Sequence, residues 1–252
     1  MKILEKNIKN KIHLTGIGGI GMSGIAEVLF SQGYKIQGSD LLNNNNTKRL
    51  KKMGIKVFLG HSQKNLKNVN ILVISSAIKK NNTELKFAKK NKIPVYKRSD
   101  MLAVLMKYNE SIAVSGSHGK TTTTSLISSV LENANFDPTT IIGGIVNQYK
   151  STTRIGKSNW MVVEADESDG SLIDLFPKIA VLTNINKEHM DFYKNYSNLK
   201  KYFLNFTNNI PFDGVAIYCN DNPDLKKLLL ESKKRNKISY GLNKDSDVRA
   251  TN

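Results

Sequence analysis

The sequence predicts an α/β protein built as two doubly wound domains, and three observations carry that prediction. Apolar strand-like runs alternate with segments of helical spacing along almost the whole chain. Two glycine-rich loops stand 100 positions apart, at residues 16–22 and 116–122, and each follows an apolar run and opens a helical segment. The tripeptide Tyr108-Asn109-Glu110 separates the two series, so the domains are set at 1–108 and 109–252. In sheets of this kind ligands sit at the carboxyl ends of the strands, where both loops fall.

In the first series Lys11–Thr15 reads as a strand. Met22, Ile25, Ala26 and Leu29 then fall at i, i+3, i+4 and i+7, an apolar helix stripe that Gly33 is placed to end. Residues 34–38 form a second strand closing on Ser39 and Asp40. Residues 47–53 read as a short helix stopped by Gly54. Strands follow at 55–58 and 71–74, then a charged helix at 84–90. The strand at 93–96 carries Pro94, which suits an edge. Ser99 can cap a helix over 100–107.

In the second series residues 111–115 are a strand. The helix after the second loop carries Leu126, Ile127, Val130 and Leu131. Strands are expected at 139–142, 160–165, 178–183, 214–219 and 237–240. Leu199, Tyr202, Phe203 and Phe206 keep helical spacing, and another helix lies near 224–230. No repeat at a solenoid period occurs.

Composition narrows the class. With 39 % apolar residues, the 252-residue chain can bury a core. No apolar run approaches the roughly 18 residues of a membrane span. The opening MKILEKNIKNKIHLTG is interrupted by charge too often for a signal peptide. The single cysteine, Cys219, excludes an internal disulfide framework and suits a buried thiol in its apolar run. A cytoplasmic protein is expected. The net charge of +17 invites a nucleic-acid reading. The lysines are spread along the chain with abundant asparagine, as in Asn43-Asn44-Asn45-Asn46, and no basic-aromatic stacking array accompanies them. No nucleic-acid or membrane partner is expected.

The first loop fits Gly-x-Gly-x-x-Gly through Gly16, Gly18 and Gly21, followed by a helix whose positive end favours a diphosphate. Asp40 ends the next strand, where a dinucleotide fold places its ribose contact, which makes this domain Rossmann-like. Alone the motif fits NAD, FAD or a sugar nucleotide. The second loop reads Gly116-Ser117-His118-Gly119-Lys120-Thr121-Thr122. Val114 stands where the common P-loop has glycine, so this is a shortened variant. Backbone N–H groups would cradle phosphates, Lys120 would neutralise β/γ charge, and a threonine hydroxyl would reach Mg²⁺. Thr121–Thr124 are poor interior helix formers, which marks Thr121 and Thr122 for phosphate or metal.

Glu164, Asp166, Glu167 and Asp169 follow the strand ending near 163, and an acid there is the expected holder of Mg²⁺ in an ATP site. His189, in Lys187-Glu188-His189-Met190-Asp191, follows another buried strand and is a candidate metal ligand. His118 shapes its loop, His13 belongs to the core and His61 to the surface.

Residues 16–26, 116–123, 164–171 and 183–191 together resemble the Mur ligases. The resemblance runs from about Lys11 to about Ala250. It implies an ATP-dependent acid–amino-acid ligase of peptidoglycan synthesis, serving cell-wall biogenesis, cell shape and cell division. Within the family it points to addition of L-alanine to UDP-N-acetylmuramate: ATP phosphorylates the lactyl carboxylate, and the amine attacks the acyl phosphate. It implies ATP and Mg²⁺ as cofactors, with Lys120, Glu164 and His189 as catalytic residues and Thr121, Glu164 and His189 on the metal. Gly116, Ser117, His118, Gly119, Lys120, Thr121 and Thr122 would hold ATP. Gly18, Gly19, Gly21, Met22, Ser39, Asp40, Ser75 and Ser76 would lie near the sugar nucleotide. Glu188 replaces the family's usual Asp and Ser117 a common Thr. Family members continue well past residue 252, so the second domain reads as incomplete, the C-terminal domain as absent, and the chain as an inactive portion of such an enzyme. The alternatives are a ligase attaching a recycled peptide to the same sugar nucleotide, a binding-only UDP-sugar module, and a nicotinamide dehydrogenase that uses the first loop alone.

Overall fold

A computed structural model describes residues 10–146, 151–234 and 236–251. Most of the opening segment judged against a signal peptide lies outside the described residues. The chain forms two compact units. One holds the described residues up to Val104 together with residues 151–155; the other holds 105–146 and the chain from Gly156. The division falls within a helix, just before the expected boundary at 108.

The first unit contains β1 (Lys11–Thr15), α1 (Ile20–Ser31), β2 (Lys35–Asp40), α2 (Asn45–Lys52), β3 (Lys56–Leu59), β4 (Ile71–Ile74), α3 (Thr83–Lys90), β5 (Val95–Lys97) and the start of α4 (Arg98–Lys107). Its parallel sheet runs β3-β2-β1-β4-β5. The order reverses at β1, which is the switch point where such sheets bind ligands. Ile12 and Leu14 of β1 are fully buried, and α1 buries the run from Met22 to Leu29. A strand covered on both faces reads as a near-continuous apolar run, which is why β1 was legible at its observed limits.

The second unit contains β6 (Glu110–Ser115), α5 (Lys120–Asn133), β7 (Thr139–Val146), β9 (Trp160–Glu164), β10 (Ile179–Leu182), α6 (Met190–Tyr193), α7 (Tyr196–Asn208), β11 (Val215–Cys219), α8 (Pro223–Glu231), β12 (Lys237–Gly241) and β13 (Val248–Arg249). The intervening β8 (Ser151–Arg154) counts with the first unit. The strands of the second unit run β13-β12-β11-β10-β6-β9-β7, with the neighbours parallel. The doubly wound prediction therefore holds for both units. Strands β8 and β13 were not anticipated, being two to four residues long with little apolar pattern.

Two features depart from the sequence reading. The stripe expected on α5 is rotated: Leu126 and Val130 are 61 % and 66 % exposed, while Thr124 and Ser128 are buried. Ser128 Oγ and Thr140 Oγ1 of β7 share a hydrogen bond of 2.6 Å, so small hydroxyl residues, not leucine, face that strand. Ile127 and Leu131 pack on Val114, Val162 and Val181 as expected. In α7, Leu199, Phe203 and Phe206 are fully buried. Cys219 is only partly buried.

Candidate active site

The second loop grows from the most protected part of its sheet. Strand β6 lies between β9 and β10, and their register sets Glu164 beside Val114 and Leu182 beside Ser115. Two glycines shape the loop. Gly116 has φ of 144°, and a Cβ there would lie 2.0 Å from Thr183 Oγ1. Gly119, at φ of 81°, is the left-handed N-cap of α5.

The loop is wired to the segment after β10. Ser117 N–H donates to the Asn184 carbonyl at 3.1 Å and His118 N–H to Asn184 Oδ1 at 2.9 Å. Thr183 Oγ1 and Asn184 Nδ2 both donate to the His118 carbonyl, at 2.7 and 3.0 Å. Asn186 N–H donates to Ser117 Oγ at 2.8 Å. Ser117 and His118 thus spend their amides on the fold. The expected cradle is correspondingly narrower: within this loop, the N–H groups of Gly116 and of Gly119 to Thr122 have no partner among the described residues. His118 does shape the loop, and its ring lies 3.4 Å from Glu188 Oε1.

Lys120 curls over the loop. Its Nζ donates to the Gly116 carbonyl at 2.7 Å and to Glu167 Oε1 at 3.0 Å, and lies 2.8 Å from Glu167 Oε2. Glu167 is fully buried, and its Oε2 has no aligned hydrogen bond. Burial pushes its carboxyl above the usual range, opposed by the Lys120 ammonium. His189 Nε2 stands 3.6 Å from Glu167 Oε1. One ligand atom each of Glu167, Glu188 and His189 lie within 4.8 Å of one another. The carbonyl of Glu167 accepts from the Tyr193 hydroxyl, and Tyr193 stacks edge-on with Phe192 and Tyr202.

Thr121 and Glu164 form a second group. Thr121 Oγ1 and Gly143 N–H both donate to Glu164 Oε2, at 3.0 and 2.8 Å. A Cβ at Gly143 would lie 2.6 Å from Glu164 Oε1, so a larger residue there would push the carboxylate from this position. The expected metal set therefore divides: Thr121 sits with Glu164, while His189 faces Glu167. Sequence reasoning did not single out Glu167 from the acids after β9; its burial beside Lys120 does. Oxygen donors such as Thr121 Oγ1 and the two carboxylates suit a hard cation like Mg²⁺, and a buried carboxylate oxygen without an aligned donor fits one too. Thr122 is exposed at the first turn of α5.

In the first unit, Gly16 and Ile17 donate their N–H groups to the Ser39 carbonyl, and Gly19 donates to Gly16. Gly21 lies under Arg98, whose Cδ would stand 3.1 Å from an added Cβ. Ser75 follows β4 and lies beside Gly16, and Ser76 is exposed. Two expected ligand contacts are internal instead. Met22 is 1 % exposed and belongs to the core. Ser39 is fully buried, and its Oγ donates to Glu84 Oε2 at 2.6 Å. Glu84 also accepts from Thr15 Oγ1 at 2.7 Å, from Asn65 Nδ2 at 2.7 Å and from Ser62 N–H at 3.2 Å, with His13 Nε2 at 3.2 Å. Burial works to raise its carboxyl, but His13, Ser39 and Thr15 outweigh it and hold the group at about 2. His13 is in the core as expected. His61, expected at the surface, is mostly buried with Nδ1 2.9 Å from Ser39 Oγ.

Residues 11–110 match the Mur ligase family, catalytic domain, and residues 114–252 match the Mur ligase middle domain. The chain belongs to the Mur ligase family. Among curated Mur ligases it is similar to UDP-N-acetylmuramate–L-alanine ligase of Parvibaculum lavamentivorans, 49 % identical over 241 residues, and of Bartonella bacilliformis, 51 % identical over 241 residues. The matches cover 96 % of this chain and 49 % and 51 % of those relatives, so the chain spans about half their length. A solved UDP-N-acetylmuramate–alanine ligase from Thermotoga maritima superposes with a TM-score of 0.81 at 28 % identity, over 93 % of this chain and 53 % of that one. No helix among the described residues is long and apolar enough to cross a membrane.

Proposed function

We propose that this chain carries the sugar-nucleotide and ATP sites of a cytoplasmic ligase that joins L-alanine to the lactyl carboxylate of UDP-N-acetylmuramate in peptidoglycan synthesis. The observation that carries the reading is the second loop, where Lys120 bridges the loop backbone and Glu167 while Thr121 holds Glu164. A nicotinamide dehydrogenase has no use for that constellation. The likeness of about half of each named relative to nearly all of this chain supports the choice of substrate.

Each residue has a role in this reading. The free amides from Gly119 to Thr122 and the Lys120 ammonium bind the triphosphate. Mg²⁺, when bound, neutralises charge on the transferred phosphoryl group. Thr121 with Glu164, or Glu167 with His189, would hold it. Charge stabilisation is the main need, because the carboxylate must attack a phosphorus already surrounded by anionic oxygens. The first unit binds the UDP moiety at the switch point of its sheet.

The test is calorimetry on the 252-residue chain with UDP-N-acetylmuramate, NAD and ADP with Mg²⁺. Micromolar-range affinity for the sugar nucleotide, Mg²⁺-dependent ADP binding and no measurable NAD binding are expected. NAD binding tighter than the sugar nucleotide would overturn the reading.

A further inference from the structure

The first glycine loop departs from a dinucleotide cradle at its second glycine. In such a cradle that glycine leaves its face open for a diphosphate, and the acid at the end of the second strand binds a ribose hydroxyl. Here the face of Gly18 is covered by the chain itself. A Cβ on Gly18 would lie 2.7 Å from Thr47 Cγ2, 2.9 Å from Asp40 Oδ2 and 3.0 Å from Asn44 Nδ2. The backbone of Gly18 is occupied too. Its N–H donates to Asp40 Oδ2 at 2.8 Å, and its carbonyl accepts from Asn44 Nδ2 at 3.1 Å and Asn46 Nδ2 at 2.9 Å.

Each of these side chains is anchored at its other end. Asp40 Oδ1 accepts from Leu42 N–H at 3.0 Å. Asn44 Oδ1 caps α2 by accepting from Thr47 N–H at 3.0 Å. Asn46 Oδ1 accepts from Arg49 Nη1 at 3.1 Å, and Arg49 Nε reaches back to Glu27 of α1 at 2.9 Å. The end of β2 and the start of α2 therefore cover Gly18, and Arg49 ties α2 back to α1.

We propose that Asp40, Asn44 and Thr47 form a specificity lock: they fill the space a dinucleotide diphosphate would take and commit the acid to the loop instead of a ribose. The proposal rests on the reading that this unit binds a nucleoside-diphosphate sugar. The ligand then meets a loop that is already rigid, in which the N–H groups of Ile20, Gly21 and Met22 have no partner among the described residues.

The experiment measures amide exchange at Gly18 and binding of UDP, 2′-deoxy-UDP and NAD, in the unmodified chain and in Asp40→Ala. The unmodified chain should show a slowly exchanging Gly18 amide that saturating UDP leaves unchanged within about twofold. Asp40→Ala should speed that exchange tenfold or more. Any loss of affinity on removing the 2′-hydroxyl should be the same in both proteins, since Asp40 does not hold it. If the 2′-deoxy penalty disappears in Asp40→Ala, or UDP shifts Gly18 exchange tenfold, the acid is a ribose ligand and the lock is wrong. Measurable NAD binding by the unmodified chain would also overturn it. If Asp40→Ala does not fold, Asp40→Asn keeps an acceptor for Gly18 and should bind UDP within about threefold of the unmodified chain; a larger loss contradicts the lock. Failure of UDP to bind at all would sink the nucleotide-sugar reading, while Gly18 exchange and NAD binding would still judge the lock.

Discussion

The two glycine loops solve the same backbone problem in opposite ways. The first is fixed by side chains that fold onto a glycine: Asp40, Asn44 and Asn46 take both polar groups of Gly18. The second is fixed mainly through its non-glycine residues, Ser117 and His118, which bond to Thr183, Asn184 and Asn186. Its glycines serve geometry, with φ of 144° at Gly116 and 81° at Gly119. The difference teaches that a glycine pattern reports where the chain turns and how closely something approaches, but not whether that something is a ligand. In the second loop a lysine follows the pattern and reaches a buried carboxylate, which is a demand that folding alone does not create.

This contrast can be broken at several points. The largest effect is expected at Gly116→Ala, where a Cβ would meet Thr183 Oγ1 at 2.0 Å on a backbone that disfavours L side chains. A loss above about 4 kcal/mol in chemical denaturation is expected, enough to unfold a marginal unit. Gly119→Ala has the same class of strain without the clash, nothing lying within 4 Å, and should cost about 1–2 kcal/mol. If the two cost the same, packing against Thr183 does not shape the loop.

Next is the buried network under the first loop. The Glu84 carboxyl is held at about 2 in the folded unit against 4.5 unperturbed, a depressed carboxylate. Its stabilisation is therefore complete above pH 4.5 and is lost as pH falls toward 2, worth about 3 kcal/mol over that interval. Denaturation midpoints between pH 5 and 2 should fall steeply for the unmodified chain and much less for Glu84→Gln. Parallel pH profiles would remove the network from the account of stability.

Gly18→Ala should cost about 1–3 kcal/mol, because Thr47, Asp40 and Asn44 have to shift. Gly19→Ala, whose nearest neighbour would be 3.4 Å away, should be within about 0.5 kcal/mol of neutral. Equal melting points for the two variants would show that nothing presses on Gly18. The smallest effect belongs to Leu126→Ser on the exposed face of α5, about 0.5 kcal/mol or less.

The sequence carried the architecture well and the polar interior poorly. Strands β1 and β4 lie at their expected limits because both are short apolar runs closed by turn residues. The α5 stripe was misplaced because hydropathy cannot tell that Ser128 meets Thr140 across a hydrogen bond. The run Asn43–Asn46 stood out only as part of an asparagine-rich composition, yet Asn44 and Asn46 hold Gly18; an amide's partner across a turn leaves no periodic trace. Glu84 was read only as part of a charged helix, and its burial follows from five partners distant in sequence. Lys120, Thr121 and Glu164 were legible because loop spacing and a strand end fix their places. Glu167 was not, because several acids after β9 offer themselves equally and only the fold selects one for burial.

The central claim is that the chain holds two separate anion sites, and Lys120→Ala tests it most directly by calorimetry with both ligands. ADP with Mg²⁺ should lose at least 100-fold in affinity, while UDP-N-acetylmuramate should bind within about twofold of the unmodified chain. Loss of both affinities in a variant that still melts cooperatively, or retention of both, would contradict the account.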